Sequence, residues 1–520
     1  MSTTSDERSS RYSRKSFLGR LGLGAASVGA GGLLRSEPAR AGLLAQRVSR
    51  AGVEGHFGRI FHGLPPFASD SPRVQAALRA IGRPGGILDA NDRLAKGPTL
   101  LITDASLSAN NPNNPTHTAG TTFFGQFLDH DITFDIGSKL AQPTVPEDAS
   151  NGRTPRFDLD SVYGSGPVAS PQLYDPNDHA KLRIEDGGQF EDLPRTSDGT
   201  AIIGDPRNDE HVIIAGLQCA FILFHNKAVD QARATGADDP FHQARQLLTW
   251  HYHWLIVHEF LPQIVGQSMV DDVLHNGRRF YKPSDGAFMP VEFGAACYRF
   301  GHSMVRPSYR ANLHGDNDKP FFAFIFDPRA TGPDPSDLRG GYRAPRRFVG
   351  WQTFFDFRDG QVKPNKRIDT KISTPLFRLP LGAIASHDTP TALPQRNLLR
   401  QLTWELPSGQ RLATEMGEPA LEQGDLAELT NYGNNLDTST PLWYYTLKEA
   451  EVMADGLHLG PVAGRIVAEV FTGLLQTDPA SYHTTQPNWT PTLPSKTGKN
   501  HFTMVDLLTY AGVDPTSRRQ

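Results

Sequence analysis

Gln126, Asp129, His130 and Asp131 fall within two helical turns of an otherwise apolar stretch, Thr121–Asp135, TTFFGQFLDHDITFD. On a helix, positions i, i+3 and i+4 share a face, so Gln126, Asp129 and His130 point one way. Asp131 points about 100° aside. Polar groups packed among Phe123, Phe124, Phe127, Leu128 and Phe134 need partners, because burying them unpaired is costly. A cofactor and a metal ion would supply them. A neutral imidazole here can take a proton from a peroxide and return it to the departing oxygen. Taken singly, His130 reads better as a core histidine with a satisfied hydrogen bond; the Gln-x-x-Asp-His-Asp cluster shifts the balance.

Four further groups could do related chemistry. Thr154-Pro155-Arg156-Phe157-Asp158-Leu159-Asp160 alternates oxygen donors, as a hard cation such as Ca²⁺ requires; alone, a D-x-D loop is more often a capped turn. Arg207 and Glu210 stand at i and i+3 in Arg207-Asn208-Asp209-Glu210. An arginine beside a reacting oxygen can stabilise the charge that develops as an O–O bond breaks, although an isolated pair also reads as a salt bridge at a helix start. His302 follows a small residue in Arg299-Phe300-Gly301-His302, a setting in which imidazole can ligate a haem iron or sit in a core. QRNLLR, residues 395–400, offers Asn397 to the second nitrogen of such a ligand; a surface helix is the plainer alternative.

GQFLDHDITFD resembles the distal-histidine segment of the peroxidase–cyclooxygenase superfamily, the animal-type haem peroxidases typified by myeloperoxidase and lactoperoxidase. The resemblance implies His130 as distal acid/base, Gln126 as the residue contacting ligands above the iron, and Arg207 as distal arginine. It implies haem b, ester-linked through Asp129 and Glu210, with His302 as iron ligand, Asn397 as its partner and Arg400 paired with a propionate. It implies Ca²⁺ on Asp131, Thr154 (hydroxyl and carbonyl), the Arg156 carbonyl, Asp158 and Asp160; the family often has serine where Asp160 stands, which keeps the oxygen.

Two departures distinguish this chain from its kin. Where cyclooxygenases and fatty-acid dioxygenases carry a radical tyrosine, three residues before the iron ligand, stands Arg299, counted here among the haem-contacting residues. Tyr298 is adjacent but about 100° away on a helix. Where myeloperoxidase has a methionine bonded to a haem vinyl stands His211, so no such bond is expected and bromide, iodide or thiocyanate are favoured over chloride. The resemblance spans roughly residues 56–515, including FTMVDLLTYAGV near the end, with its motifs in family order.

The elements that must carry these residues read as mainly α-helical, with little β structure, in one large domain over 42–520. Helices are expected at 72–81, from Thr118 or Thr121 as cap, from Asp205 as cap through VIIAGLQCAFILFHNKAVD, at 241–265, 291–307, 393–402, 444–457 and 462–476. His251, His253 and His258 in the fourth do not fit HExxH spacing and read as satisfied or stacking side chains. Net charge of −4 gives no case for nucleic acid. Cys219 and Cys297 are too few for a disulfide framework or a CxxC zinc site, and no C-x-x-C-H motif for attached haem occurs. Residues 1–41 resemble a twin-arginine signal, with Arg14-Lys15, a weakly apolar run over Leu21–Leu34 too short to span a membrane, and Ala39-Arg40-Ala41 as an A-x-A site. These features together imply an exported bacterial-type peroxidase, secreted or periplasmic, that reduces H₂O₂ and oxidises small organic donors or halides. The alternatives are a fatty-acid dioxygenase of the same superfamily and a non-catalytic secreted protein of the same fold.

Overall fold

The computed structural model describes residues 55–284, 286–341, 344–496 and 498–519; the signal expected within 1–41 lies outside them. Helices dominate: α1 (Pro72–Ile81), α2 (Gly120–Ile132), α3 (Val212–Ala234), α4 (Pro240–Leu255), α5 (Leu393–Thr403), α6 (Leu442–Met453), α7 (Pro461–Thr477) and α8 (Met504–Ala511), with shorter turns between them. Among the described residues, strands form four two-stranded sheets. Asn113–Thr118 pairs antiparallel with Pro364–Lys366, and Ser308–Asn312 with Phe321–Phe324. The expectation of a mainly α fold with little β structure holds.

α3 is the axis of the core. Ile213, Leu217, Ala220, Phe221 and Phe224 are fully buried, and α2, α4 and α8 pack around the helix. Phe127 of α2 meets Phe221 of α3 with ring centroids 4.5 Å apart. α3 is long and apolar enough to cross a membrane, but 78% of its most apolar window is buried inside the protein; its apolar surface is core surface. Cys219 of α3 and Cys297 are buried and free, and burial raises both thiols above their ordinary pKa.

Three local expectations need correction. No threonine caps α2: its cap is Ala119, with no side-chain hydrogen bond. The Ala119 and Gly120 amides donate instead to Lys363 O and Phe354 O, both at 2.9 Å, so the neighbouring chain satisfies the helix start. Asp205 caps a separate 3₁₀ turn, Pro206–Asp209, and α3 begins only at Val212 with His211 as cap. Between the two, Gly340 N donates to Glu210 O and Val212 N to Leu338 O, a strand-like crossing that interrupts the helix. The expected helix over 291–307 is broken into Val291–Gly294, Cys297–Phe300 and Gly301–Met304. The Gly294 and Ala295 carbonyls there accept from Arg299 Nε and Gln401 Nε2, both at 3.0 Å.

Helix 241–265 is continuous but contains a π-turn at Ile256–Phe260, just before Pro262, whose ring and missing N–H disfavour a regular α ladder. Its histidines are bonded or stacked, as expected, apart from His253 Nδ1, which is buried without a partner. His251 Nδ1 meets Leu247 O at 2.7 Å, His253 Nε2 meets Phe157 O at 2.8 Å, and His258 lies 3.7 Å from Trp254 between ring centroids.

Buried imidazoles set the acid limit of this fold. His117, His225, His251 and His253 are held neutral by burial with pKa values near 4, and His130 and His211 near 3. Once unfolded, each would titrate at its ordinary value of about 6.5 and bind a proton that the folded state refuses. Stability from these groups is therefore complete above pH ~6.5 and lost as pH falls toward 4. The melting temperature is expected to drop steeply over that window; a flat profile between pH 6.5 and 4.5 would show that these rings protonate in place.

Candidate active site

The structure brings the distal cluster together on α2 and the turn before α3. His130 is 4% exposed, and its Nδ1 lies 2.8 Å from Asn208 Oδ1. Burial, then the charge of Arg207, lowers its pKa to about 3, so the ring is neutral. Gln126 is held at both ends. His211 Nδ1 accepts from Ile214 N, which leaves His211 Nε2–H to donate to Gln126 Oε1 at 2.8 Å. Gln126 Nε2 then donates to Glu210 Oε2 at 3.2 Å. Burial raises Glu210 to about pKa 8 against the opposing pull of Arg207, so its carboxyl is protonated at neutral pH. Asp129 keeps 32% side-chain exposure and accepts from Thr133 Oγ1 at 3.0 Å.

Arg207 reaches these residues through a buried run of charges. Its Nη2 donates to His130 O at 3.1 Å and to Thr133 O, at the end of α2, where unpaired carbonyls attract a cation. Its Nη1 is 3.8 Å from Asp129 Oδ2, and its guanidinium lies over the Phe134 ring at 4.5 Å. Asp205, fully buried, accepts from Arg207 Nε at 3.1 Å and from Arg153 Nε at 2.7 Å. Burial alone would raise the Asp205 carboxyl, but Arg153 and Arg207 hold it well below the usual range. Arg153 also donates to Asp160 Oδ1 at 3.0 Å.

At the far end of that run, one ligand oxygen from each of Asp131, Asp158 and Asp160 lies within 4.8 Å of the others. Asp131 accepts from Leu159 N at 3.1 Å, Ser161 Oγ at 3.2 Å and Tyr252 OH at 3.2 Å. Thr154 Oγ1 donates to Asp158 Oδ2 at 3.1 Å. Arg156 is on the same loop, near enough for its charge to act on Asp478. Burial and the neighbouring carboxylates push Asp131 up, and push Asp158 to about 7. Leu159 adopts φ +58, uncommon for a branched residue, and so turns its amide toward Asp131. Crowded, buried oxygen donors of this kind fit a hard cation.

On the other side, His302 follows Gly301, where an added Cβ would meet nothing within 4 Å; open space adjoins the ring's own segment. Burial, then Arg299, lowers His302 to about pKa 3. Its Nδ1 is 2.8 Å from the Asn397 side-chain amide, whose Oδ1 is buried without a partner. A half-turn of that carboxamide places the oxygen on Nδ1–H and leaves Nε2 with a free lone pair, the form an iron ligand needs. Arg400 pairs with Asp135. Arg299 donates to Gly294 O at 3.0 Å and makes no ion pair among the described residues; burial and the neighbouring Arg400 pull it down to about pKa 9. A half-buried cation that makes no ion pair among the described residues, with only Asp129 and Asp135 acting on it from farther off, suits an anionic cofactor group such as a propionate. These donor sets fit a haem. Tyr298 lies in the 3₁₀ turn Cys297–Phe300, where successive side chains stand about 120° apart, so it points away from Arg299 at least as far as expected; its hydroxyl donates to Gly125 O at 2.9 Å.

Arg153, Asp205, Asn208 and Gln218 had no expected place in this site. Their partners are remote in sequence, such as Arg153 with Asp205 52 positions away, and local periodicity carries no signal of such pairing.

The fold is helical, and the segments that carry His130 and His302 pack against each other. The family model for animal haem peroxidase matches residues 135–330, a span that includes the acidic loop, Arg207, Glu210 and His302. The human protein named probable oxidoreductase PXDNL is 24% identical over 219 residues, 36% of this chain and 15% of that protein. Mouse thyroid peroxidase is 23% identical over 242 residues, 40% of this chain and 26% of its own length. The chain thus matches only a fraction of the length of these relatives. Among solved structures, peroxidase A from Dictyostelium discoideum superposes with TM-score 0.56 at 16% identity, over 88% of this chain and 93% of that one. A fatty acid alpha-dioxygenase from Arabidopsis thaliana gives TM-score 0.53 at 15% identity, over 82% and 72% respectively. Residues 135–330 are thus similar to animal haem peroxidases, and the fold resembles that of the peroxidase and dioxygenase structures.

Two outcomes test the charged run. Arg153→Ala removes one of the two guanidinium groups on the fully buried Asp205 together with a partner of Asp160, and is expected to cost about 3 kcal/mol in urea unfolding, the lower end for breaking a buried pair because Arg207 remains; a loss under ~1 kcal/mol, the range of surface pairs, would show that the pairs are idle. Chelation of divalent cations should lower the melting temperature of the wild type but not of Asp131→Asn.

Proposed function

We propose that this chain is a haem peroxidase that reduces H₂O₂ and oxidises small organic donors or bromide, iodide and thiocyanate. The observation that carries the proposal is the pair of neutral, enclosed imidazoles, His130 and His302, on packed segments, each with Nδ1 engaged by an asparagine. His302 would hold the iron through Nε2, with Asn397 keeping its proton on Nδ1. Haem b, when bound, supplies the redox chemistry. His130 would take the peroxide proton on Nε2 and deliver it to the outer oxygen. Gln126, clamped by His211 and Glu210, has a second N–H left for a bound oxygen, and Arg207 adds positive charge beside it. The neutral Glu210 carboxyl and the accessible Asp129 are the groups that would form ester links. Arg299, together with Arg400, would meet the propionates. Ca²⁺ on Asp131, Thr154, Arg156, Asp158 and Asp160 would pin the end of α2. Residues 1–41 support export, and 42–520 the catalytic domain.

Dioxygenase chemistry is the second reading, favoured by the dioxygenase structures and by Tyr298, whose hydroxyl touches the helix that carries His130. Arg299 at the position of the radical tyrosine opposes it.

Purified protein should show a Soret band. His302→Ala is expected to lose haem, and His130→Ala to keep it while losing roughly 10²–10⁴-fold in peroxide turnover, the share that acid–base transfer contributes. A chain that stays colourless after reconstitution with haem would sink the proposal. Oxygen uptake with a fatty acid, abolished in Tyr298→Phe, would select the dioxygenase instead.

A further inference from the structure

We infer that Asn208 sets the tautomer of His130 and so decides which ring nitrogen is free to accept a proton; the inference rests on the peroxidase function proposed above. The two nitrogens of a neutral imidazole exchange roles according to the partner that either one finds. Here Nδ1 meets Asn208 Oδ1 at 2.8 Å, and Asn208 Nδ2 donates to Gln218 Oε1 at 2.8 Å. The three side chains are 4%, 0% and 1% exposed, so water does not compete for these bonds. They come from three segments: α2, the 3₁₀ turn Pro206–Asp209 and the second turn of α3. The turn itself is fixed, because Asn208 N donates to Asp205 O at 3.1 Å and Asp205 is locked between Arg153 and Arg207.

The direction of the run matters. Gln218 offers an oxygen, so Asn208 spends an N–H on it and turns its own oxygen toward the ring. That oxygen can only accept, which requires the proton on Nδ1 and leaves the lone pair on Nε2. Nε2 is the nitrogen that must receive a peroxide proton. The reverse polarity, with Asn208 Nδ2 toward the ring, would place the proton on Nε2 and block that step. Asn208 is thus a positioning residue, acting through His130 and touching no substrate, and Gln218 orients it.

The test uses the full-length chain, ¹⁵N-labelled at histidine, with the His130 signals assigned by their loss in His130→Gln. Imidazole nitrogen shifts should report Nδ1–H in the wild type. Asn208→Asp, which keeps the acceptor and the shape, should retain that tautomer; Asn208→Ala and Gln218→Met should give a mixture with Nε2–H. The His302 shifts should not move in any variant. In the haem-loaded protein, kcat/KM for H₂O₂ should fall roughly 10²-fold in Asn208→Ala, the lower end of what acid–base transfer supplies, with most of it kept in Asn208→Asp. A wild type protonated on Nε2, or an Nδ1–H signal unchanged in Asn208→Ala, overturns the inference. The expected tautomers in a chain that binds no haem would overturn the peroxidase proposal and leave the role of Asn208 standing.

Discussion

Asp205 is the constraint on which the site depends. It is fully buried, at the start of a turn rather than of a long helix, and two guanidinium groups close on it. A lone buried carboxylate would be expensive; two arginines make it the common centre of a charged run. Through Arg153 it reaches the acidic loop, and through Arg207 it reaches the carbonyl end of α2. The helix that bears His130 is therefore gripped at its C-terminal end by Arg207 and by the bonds that Leu159, Ser161 and Tyr252 donate to Asp131. Its start is held differently, by backbone bonds to the chain near residues 354 and 363. A helix fixed at both ends can present a side chain with little play, as acid–base chemistry demands.

Burial does different work at different residues of the site. It keeps His130 and His302 neutral, so one can accept a proton and the other can offer a lone pair. It keeps Glu210 protonated, so Gln126 donates to an uncharged acid rather than to a second negative group beside Asp129. At Arg299 it leaves a cation short of a partner. Three of these effects remove charge and one strands it, and the stranded charge marks where an anion belongs.

The sequence showed most of what lies within single segments. The face shared by Gln126, Asp129 and His130, the D-x-D loop, and α5 with Asn397 and Arg400 were all legible as spacing. Helix ends were less so. Ala119 and His211 serve as caps because distant strands supply or interrupt the hydrogen bonds, and no local preference encodes that. The broken segment 291–304 was missed for the same reason, since Gln401 and Arg299 take carbonyls that a regular helix would have used. Above all, the partners of the site residues were invisible. Asn208 stood inside a run already noticed, yet nothing in its neighbours says that it faces a histidine 78 positions earlier.

Both cysteines are enclosed, one on the core helix and one in the turn before His302, and burial keeps each as a thiol rather than a thiolate. Thiolates are the form that oxidants attack first, and the resulting acids are progressively harder to reverse. With no accessible thiolate among its described residues, the chain offers oxidants none of the group that they attack first. The same close packing that builds the core thereby shields both sulfur atoms from oxidation.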